Sequence, residues 1–159
     1  MAIGKMPNQR YILRQISTAI AGIRRDVYYV DVATCQIPNY APMSPAMMLP
    51  DTPSAHIWAM ESGLGNSKNG APERELAVWI YGVVKQNEEI QEALIDFAES
   101  VRAVMLFQIP TSLPGDLAVT VIEGDEGIAY QTEKMDGGGF AGTFVSKWRV
   151  NYAFPSPAG

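Results

Sequence analysis

The chain has 159 residues, 47% of them hydrophobic and 18% charged, which is enough apolar material for one core and too little length for two well-packed domains. A formal net charge of −5 argues against a nucleic-acid clamp, which needs clustered Lys and Arg to displace counterions from phosphates. Cys35 is the only cysteine, so no internal disulfide forms, and nothing near the N-terminus has the apolar run of a signal peptide or membrane span; the expectation is a soluble, cytosolically made protein whose partners are proteins.

In chain order, the first element is an amphipathic helix from Asn8 to about Val27. Ile12, Ile16, Ile20, Ile23 and Val27 recur at helical spacing, Leu13 and Ala19 widen the stripe, and Arg10, Arg14, Arg24 and Arg25 are left for the wet side. Tyr28 to Val32 is β-prone and either extends this helix or begins a strand. Residues 33–53 hold five prolines and three methionines without a period, too apolar for a disordered linker and too proline-broken for a helix or central strand. An ordered arm or long loop is expected there, with Met43, Met47 and Met48 either capping the chain's own core or contacting a protein partner.

Ala55 to Met60 alternates in the manner of a strand and breaks at the Gly-, Asn- and Ser-rich stretch Ser62 to Ala71, whereas Leu76 to Val84 is apolar on both parities and reads as a central strand covered on both faces. The two suggest a hairpin whose polar tip, with Lys68 and Asn69, would be mobile unless a partner holds it. A second helix is expected next, with Asn87 as N-cap, Glu88 and Glu89 in the first turn, and Ile90, Leu94, Phe97, Val101 and Val104 or Met105 on the inner face. Glu88, Glu92, Asp96 and Glu99 form an acidic stripe on its other face, balanced only by Arg102, and Pro110 and Pro114 end it. Leu117 to Ile122 and Ile128 to Lys134 read as strands around the turn Gly124-Asp125-Glu126-Gly127. After the loop Asp136-Gly137-Gly138-Gly139 comes the closing strand, in which Phe144, Trp148, Val150, Tyr152 and Phe154 alternate with Val145, Lys147, Arg149, Asn151 and Ala153 up to Pro155.

Chemistry-bearing patterns are sparse. His56 and Cys35, the single residues of their kinds, lie in different elements and would make a thiol site only if the fold joined them; a half-buried strand position accounts for His56 without one. Gly137, Gly139 and Gly142 match the spacing of a dinucleotide fingerprint, but a strand follows where that motif needs a helix. The segment Gly63 to Lys68 lacks the spacing of a phosphate loop. Glu123, Asp125 and Glu126 have the oxygen donors for a hard cation on a stretch too short for an EF-hand loop. No catalytic residue, metal ligand or cofactor is expected.

The order of elements, with the helix NQRYILRQISTAIAGI, the proline-flanked approach LPDTPSAHIWAM, the helix NEEIQEALIDFAESV and the ending DGGGFAGTFVSKWRVNYAFP, resembles the tail-terminator (tail-completion) proteins of tailed bacteriophages. The resemblance implies a structural virion protein of the tail or neck, assembled in the host cytoplasm. Its fold would be α+β, two main helices on a mostly antiparallel sheet, in a single domain over 1–155 with an arm at 33–53, a hairpin loop at 62–72 and a short tail at 156–159. It also implies a homo-oligomeric ring, commonly a hexamer, that stops the tail tube and meets a head-side connector or stopper protein, with a sheath terminal ring as a further partner. DNA would pass through without specific binding, repelled by a lumen lined by Glu88, Glu92, Asp96 and Glu99. Met43, Met47, Met48, Lys68 and Asn69 would serve the partner interface. Two other readings are a related phage neck or tail-tube protein, which would polymerise, and a small α+β domain holding a ligand between helices and sheet.

Overall fold

A computed structural model describes residues 8–38, 52–64 and 73–153. The proline- and methionine-rich residues 39–51, with Met43, Met47 and Met48, the hairpin tip with Lys68 and Asn69, and the tail from Phe154 lie outside the described residues.

The fold is α+β. The elements are α1 (Asn8–Ala21), β1 (Thr34–Gln36), β2 (Ser54–Leu64), β3 (Glu73–Gln86), α2 (Ile90–Ala103), α3 (Ile109–Ser112), β4 (Thr120–Glu123), β5 (Ala129–Lys134) and β6 (Phe140–Ala153). The six strands form one sheet in the order β1-β2-β3-β6-β4, with β5 also on β6; every pairing is antiparallel except that of β1 with β2. Both long helices lie on one face. α1 packs on β1 and β2, and α2 packs on β3, β6 and β5.

The core lies between. Ile12, Ile16, Ile20 and Ile23 are buried as their spacing requires, and Phe144, Trp148, Val150 and Tyr152 of β6 meet them from the sheet. Val145, Lys147, Arg149 and Asn151 face away, so the two sides of the closing strand are as its alternation demands. The Trp148 indole N–H donates to Ser146 Oγ at 3.0 Å, which satisfies both polar groups in an apolar layer. Gly82 stands opposite Phe144 on the same face, and the Phe144 ring occupies the space a side chain would need; that ring in turn meets Phe97 of α2 edge-on at 5.0 Å.

Several elements depart from the sequence expectations for physical reasons. α1 ends at Ala21, and Val27 is 75% exposed, outside the apolar stripe. The Arg24 guanidinium donates to the carbonyls of Ala21 and Ile23, closing the helix end, and to Val32 O at 3.0 Å. Residues 28–32 are neither helix nor strand: a loop held by Tyr29 N–H to Ser100 Oγ and by Tyr28 Oη–H to Gln108 Oε1. Within the segment expected to be an arm, Thr34–Gln36 forms a short edge strand, the place in a sheet where nearby prolines are tolerated. β2 runs to Leu64, taking in residues 62–64 of the expected hairpin loop, and β3 begins at Glu73. β3 is central, but helices cover one face only; Ala77, Trp79 and Tyr81 on the other are half-buried.

α2 starts later than its N-cap pattern suggests. β3 runs to Gln86, and the three-residue link forces Glu89 into left-handed backbone (φ 58°) with no side-chain cap, so Glu88 precedes the helix and only Glu92 is an acid in its first turn. Pro110 does not stop the helical run. A π-helical turn, Val104–Gln108, precedes it, with Ile109 N–H bonded to Val104 O, and α3 carries Pro110 in its first turn. β4 and β5 do not form a hairpin around Gly124–Gly127. They lie in line along the outer edge of β6, pairing with residues 148–151 and 140–145. Leu117 belongs to a 3-10 turn, and the tight reversal is the glycine loop, with φ between 80° and 102° at Gly137, Gly138 and Gly139.

Candidate functional site

The reactive side chains come first. β1 and β2 are neighbours, but Cys35 pairs with Ala55 while His56 pairs with Gln36, one register position on, so the thiol and imidazole point to opposite faces. Burial pushes the Cys35 thiol up to about 12, against a smaller opposing effect of the Ser17 hydroxyl, which makes it inert as a nucleophile. His56 is 6% exposed, neither ring nitrogen has a hydrogen-bond partner among the described residues, and desolvation lowers its pKa. The fold therefore does not build the thiol–imidazole pair. Two of the three turn carboxylates are already engaged: Glu123 takes the Arg102 guanidinium at 2.8 Å, and Glu126 takes Lys147 Nζ at 2.6 Å. Among the described residues no cluster of three or more His, Cys, Asp or Glu is placed to hold a metal. No described helix is long and apolar enough to cross a membrane.

What the fold does present is surface. On the helix-free face, β2, β3 and β6 bring aromatic groups side by side: Trp58 pairs with Trp79, His56 with Tyr81, and Trp79 with Lys147. Lys147 Nζ sits 4.2 Å from the Trp79 ring centroid, a cation–π contact that its bond to Glu126 holds in place. A depression of about 270 Å³ opens beside them between Trp79, Glu126, Lys147 and Arg149. Trp79 and Tyr81 escaped the sequence reading because they sat in a run apolar on both parities; the signal was that their parity alone is aromatic, as is that of Trp58 in the alternating strand beside them.

The helix layer carries the charge. On α1, Arg10 and Arg14 project one turn apart into solvent, while Arg24 is spent on closing the helix. On α2 the expected stripe divides. Glu99 pairs with Arg102, which also binds Glu123 through its Nε and Nη2, so this part of the stripe ties the helix to β4. Hydrogen bonding to Glu123 is the chief cause of the raised Arg102 pKa. Glu92 and Asp96, also one turn apart, are exposed on the wall of a 340 Å³ cleft that contains Asp31 and Glu89 as well, with Arg25 and Lys85 as its cations. The cleft is composite, assembled from the 25–31 loop, residues 52–53, the end of β3 and the start of α2, and no run of sequence contains it. Neither Arg10 nor Arg14, and none of Glu88, Glu92 and Asp96, has an ion-pair partner among the described residues.

Neither the models of known protein families nor the curated proteins include a match to this chain.

Proposed function

We propose that this protein is a structural component of a phage tail, a terminator whose subunits form a ring that caps the tail tube and joins it to the head-side connector. The observation that carries the reading is the order and packing of the fold. A helix, a short edge strand, two long strands, an acid-bearing helix and three strands ending in a 14-residue closing strand make two helices on a mostly antiparallel sheet, the architecture the resemblance implies. The surfaces are consistent with a protein that works through contacts. One sheet face carries half-exposed Trp58, Trp79 and Tyr81, and aromatic groups of this kind are enriched where proteins meet.

Negative-stain imaging of the purified protein, alone and mixed with tail tubes, tests this reading. Closed rings of uniform diameter seated on tube ends are the expected result. Long stacked polymers would instead assign a tube subunit, and a monomer that ignores the tubes would sink the terminator reading.

A further inference from the structure

The two long helices lie over opposite halves of one sheet and carry opposite charge that has no ion-pair partner among the described residues. α1, with Arg10 and Arg14, packs over β1 and β2 toward one edge; α2, with Glu92 and Asp96, packs over β3, β6 and β5 toward the other. Both pairs have i, i+4 spacing, which sets their Cβ atoms about 5–6 Å apart along each helix. The carboxylates, moreover, stand on the wall of a 340 Å³ cleft, with room for a long side chain to enter.

We propose that the occupant of this acidic cleft is a second copy of the chain: Arg10 and Arg14 of one subunit dock on Glu92 and Asp96 of the next, head to tail. The proposal rests on the ring reading above and names the contact that would build the ring. Charge complementarity alone permits two geometries. In a two-fold contact the arginines of each subunit meet the carboxylates of the other, which uses up both patches of both subunits and stops at a dimer. A head-to-tail contact pairs every patch with its opposite and leaves one of each kind to recruit a further subunit, which closes into a ring if the rotation permits. Arginine suits the task, since its planar guanidinium can grip a carboxylate through two parallel N–H donors. Arg25 and Lys85 within the cleft offset part of its four carboxylates, so specificity comes from the matched pair and not from bulk negative charge. The same placement gives Glu92 and Asp96 a partner in place of the channel lining.

Charge reversal in the full chain tests this by sedimentation at low salt. Arg10→Glu with Arg14→Glu, and separately Glu92→Arg with Asp96→Arg, should each weaken self-association at least about tenfold, with unchanged circular dichroism. An equimolar mixture of the two variants should associate again, as should the chain carrying all four changes. The milder pair Arg10→Gln with Arg14→Gln guards against misfolding and should weaken association in the same direction. Wild-type levels of association in both reversed variants would overturn the contact while leaving the ring intact, and would return Glu92 and Asp96 to a channel lining or a solvated face. Loss without recovery in the mixture would also overturn it. A wild-type chain that never associates would sink the ring and the contact together, whereas recovery in the mixture without capping of tubes would sink only the terminator reading.

Discussion

At the scale of single residues, two side chains of this sheet make opposite demands on solvent. Trp148 is 1% exposed between β6 and the helices, its indole N–H held by Ser146, whereas its neighbour Lys147 lies on the other face over Trp79. Trp148→Ala should cost about 3–5 kcal/mol through lost burial and the cavity left behind. Lys147→Ala removes a partly exposed ion pair and a cation–π contact, so thermal unfolding should show a much smaller drop in Tm; equal losses would mean the strand's faces are reversed. His56 makes a pH prediction whose sign follows from its environment. Desolvation holds its folded pKa below the unfolded value, so above that value neither state binds the proton, and as pH falls through it the unfolded chain takes up a proton that the folded chain refuses. Stability should fall as pH drops below the unperturbed value of about 6.5. Because His56 is the only histidine, His56→Leu should flatten that part of a urea-denaturation series, and an unchanged slope would refute the assignment.

Between elements, closeness of approach decides the packing. A Cβ at Gly82 would lie 2.0 Å from Phe144 Cε1, and one at Gly142 would lie 2.6 Å from Leu94 Cδ1, so glycine is needed at both for ring and helix to settle on the sheet. Gly82→Ala should destabilise by about 1–3 kcal/mol through overpacking. Combined with Phe144→Leu, the total loss should be smaller than the sum of the two single losses, because shrinking the ring frees the space the new methyl needs; simple additivity in chemical denaturation would show that the clash is relieved elsewhere. The faces of these elements were legible in the sequence, since Ile12, Ile16 and Ile20 or Trp148, Val150 and Tyr152 declare an inner side by spacing alone. Their ends were less so. Asn87 has the chemistry of an N-cap but is used up in a three-residue link from β3, and Pro110 has the chemistry of a stop but is carried in the first turn of α3, after a π-helical turn. Tertiary continuity overrode local preference in both.

For the whole molecule, the surface is more informative than any single group. The aromatic sheet face and the charged helix layer are each assembled from residues far apart in sequence. The segment Ala41 to Met48 offers adaptable methionines without a regular period, suited to irregular contact. Deleting it should leave the fold and its Tm nearly unchanged but reduce association, as sedimentation would show. Identical association states with and without the segment would remove it from the subunit interface.

By itself, the sequence determined the elements with strong periods: the α1 stripe, the inner face of α2, both faces of the closing strand, and hence an α+β class with a helix-covered sheet. Those patterns are local, because a side chain's direction repeats every 3.6 residues in a helix and every two in a strand. Only the tertiary structure decided what depends on pairing across distance. It set β1 parallel to β2, which turns Cys35 and His56 to opposite faces, and it aligned β4 and β5 along β6 in place of a hairpin. It also drew Asp31, Lys85, Glu92 and Asp96 to one cleft and placed basic and acidic helices over opposite halves of the sheet. Charge carries no period that reports its neighbours in space, so whether a row of carboxylates is a solvated face, a helix tie such as Glu99 with Arg102, or the wall of a cleft is settled only when the chain has folded around it.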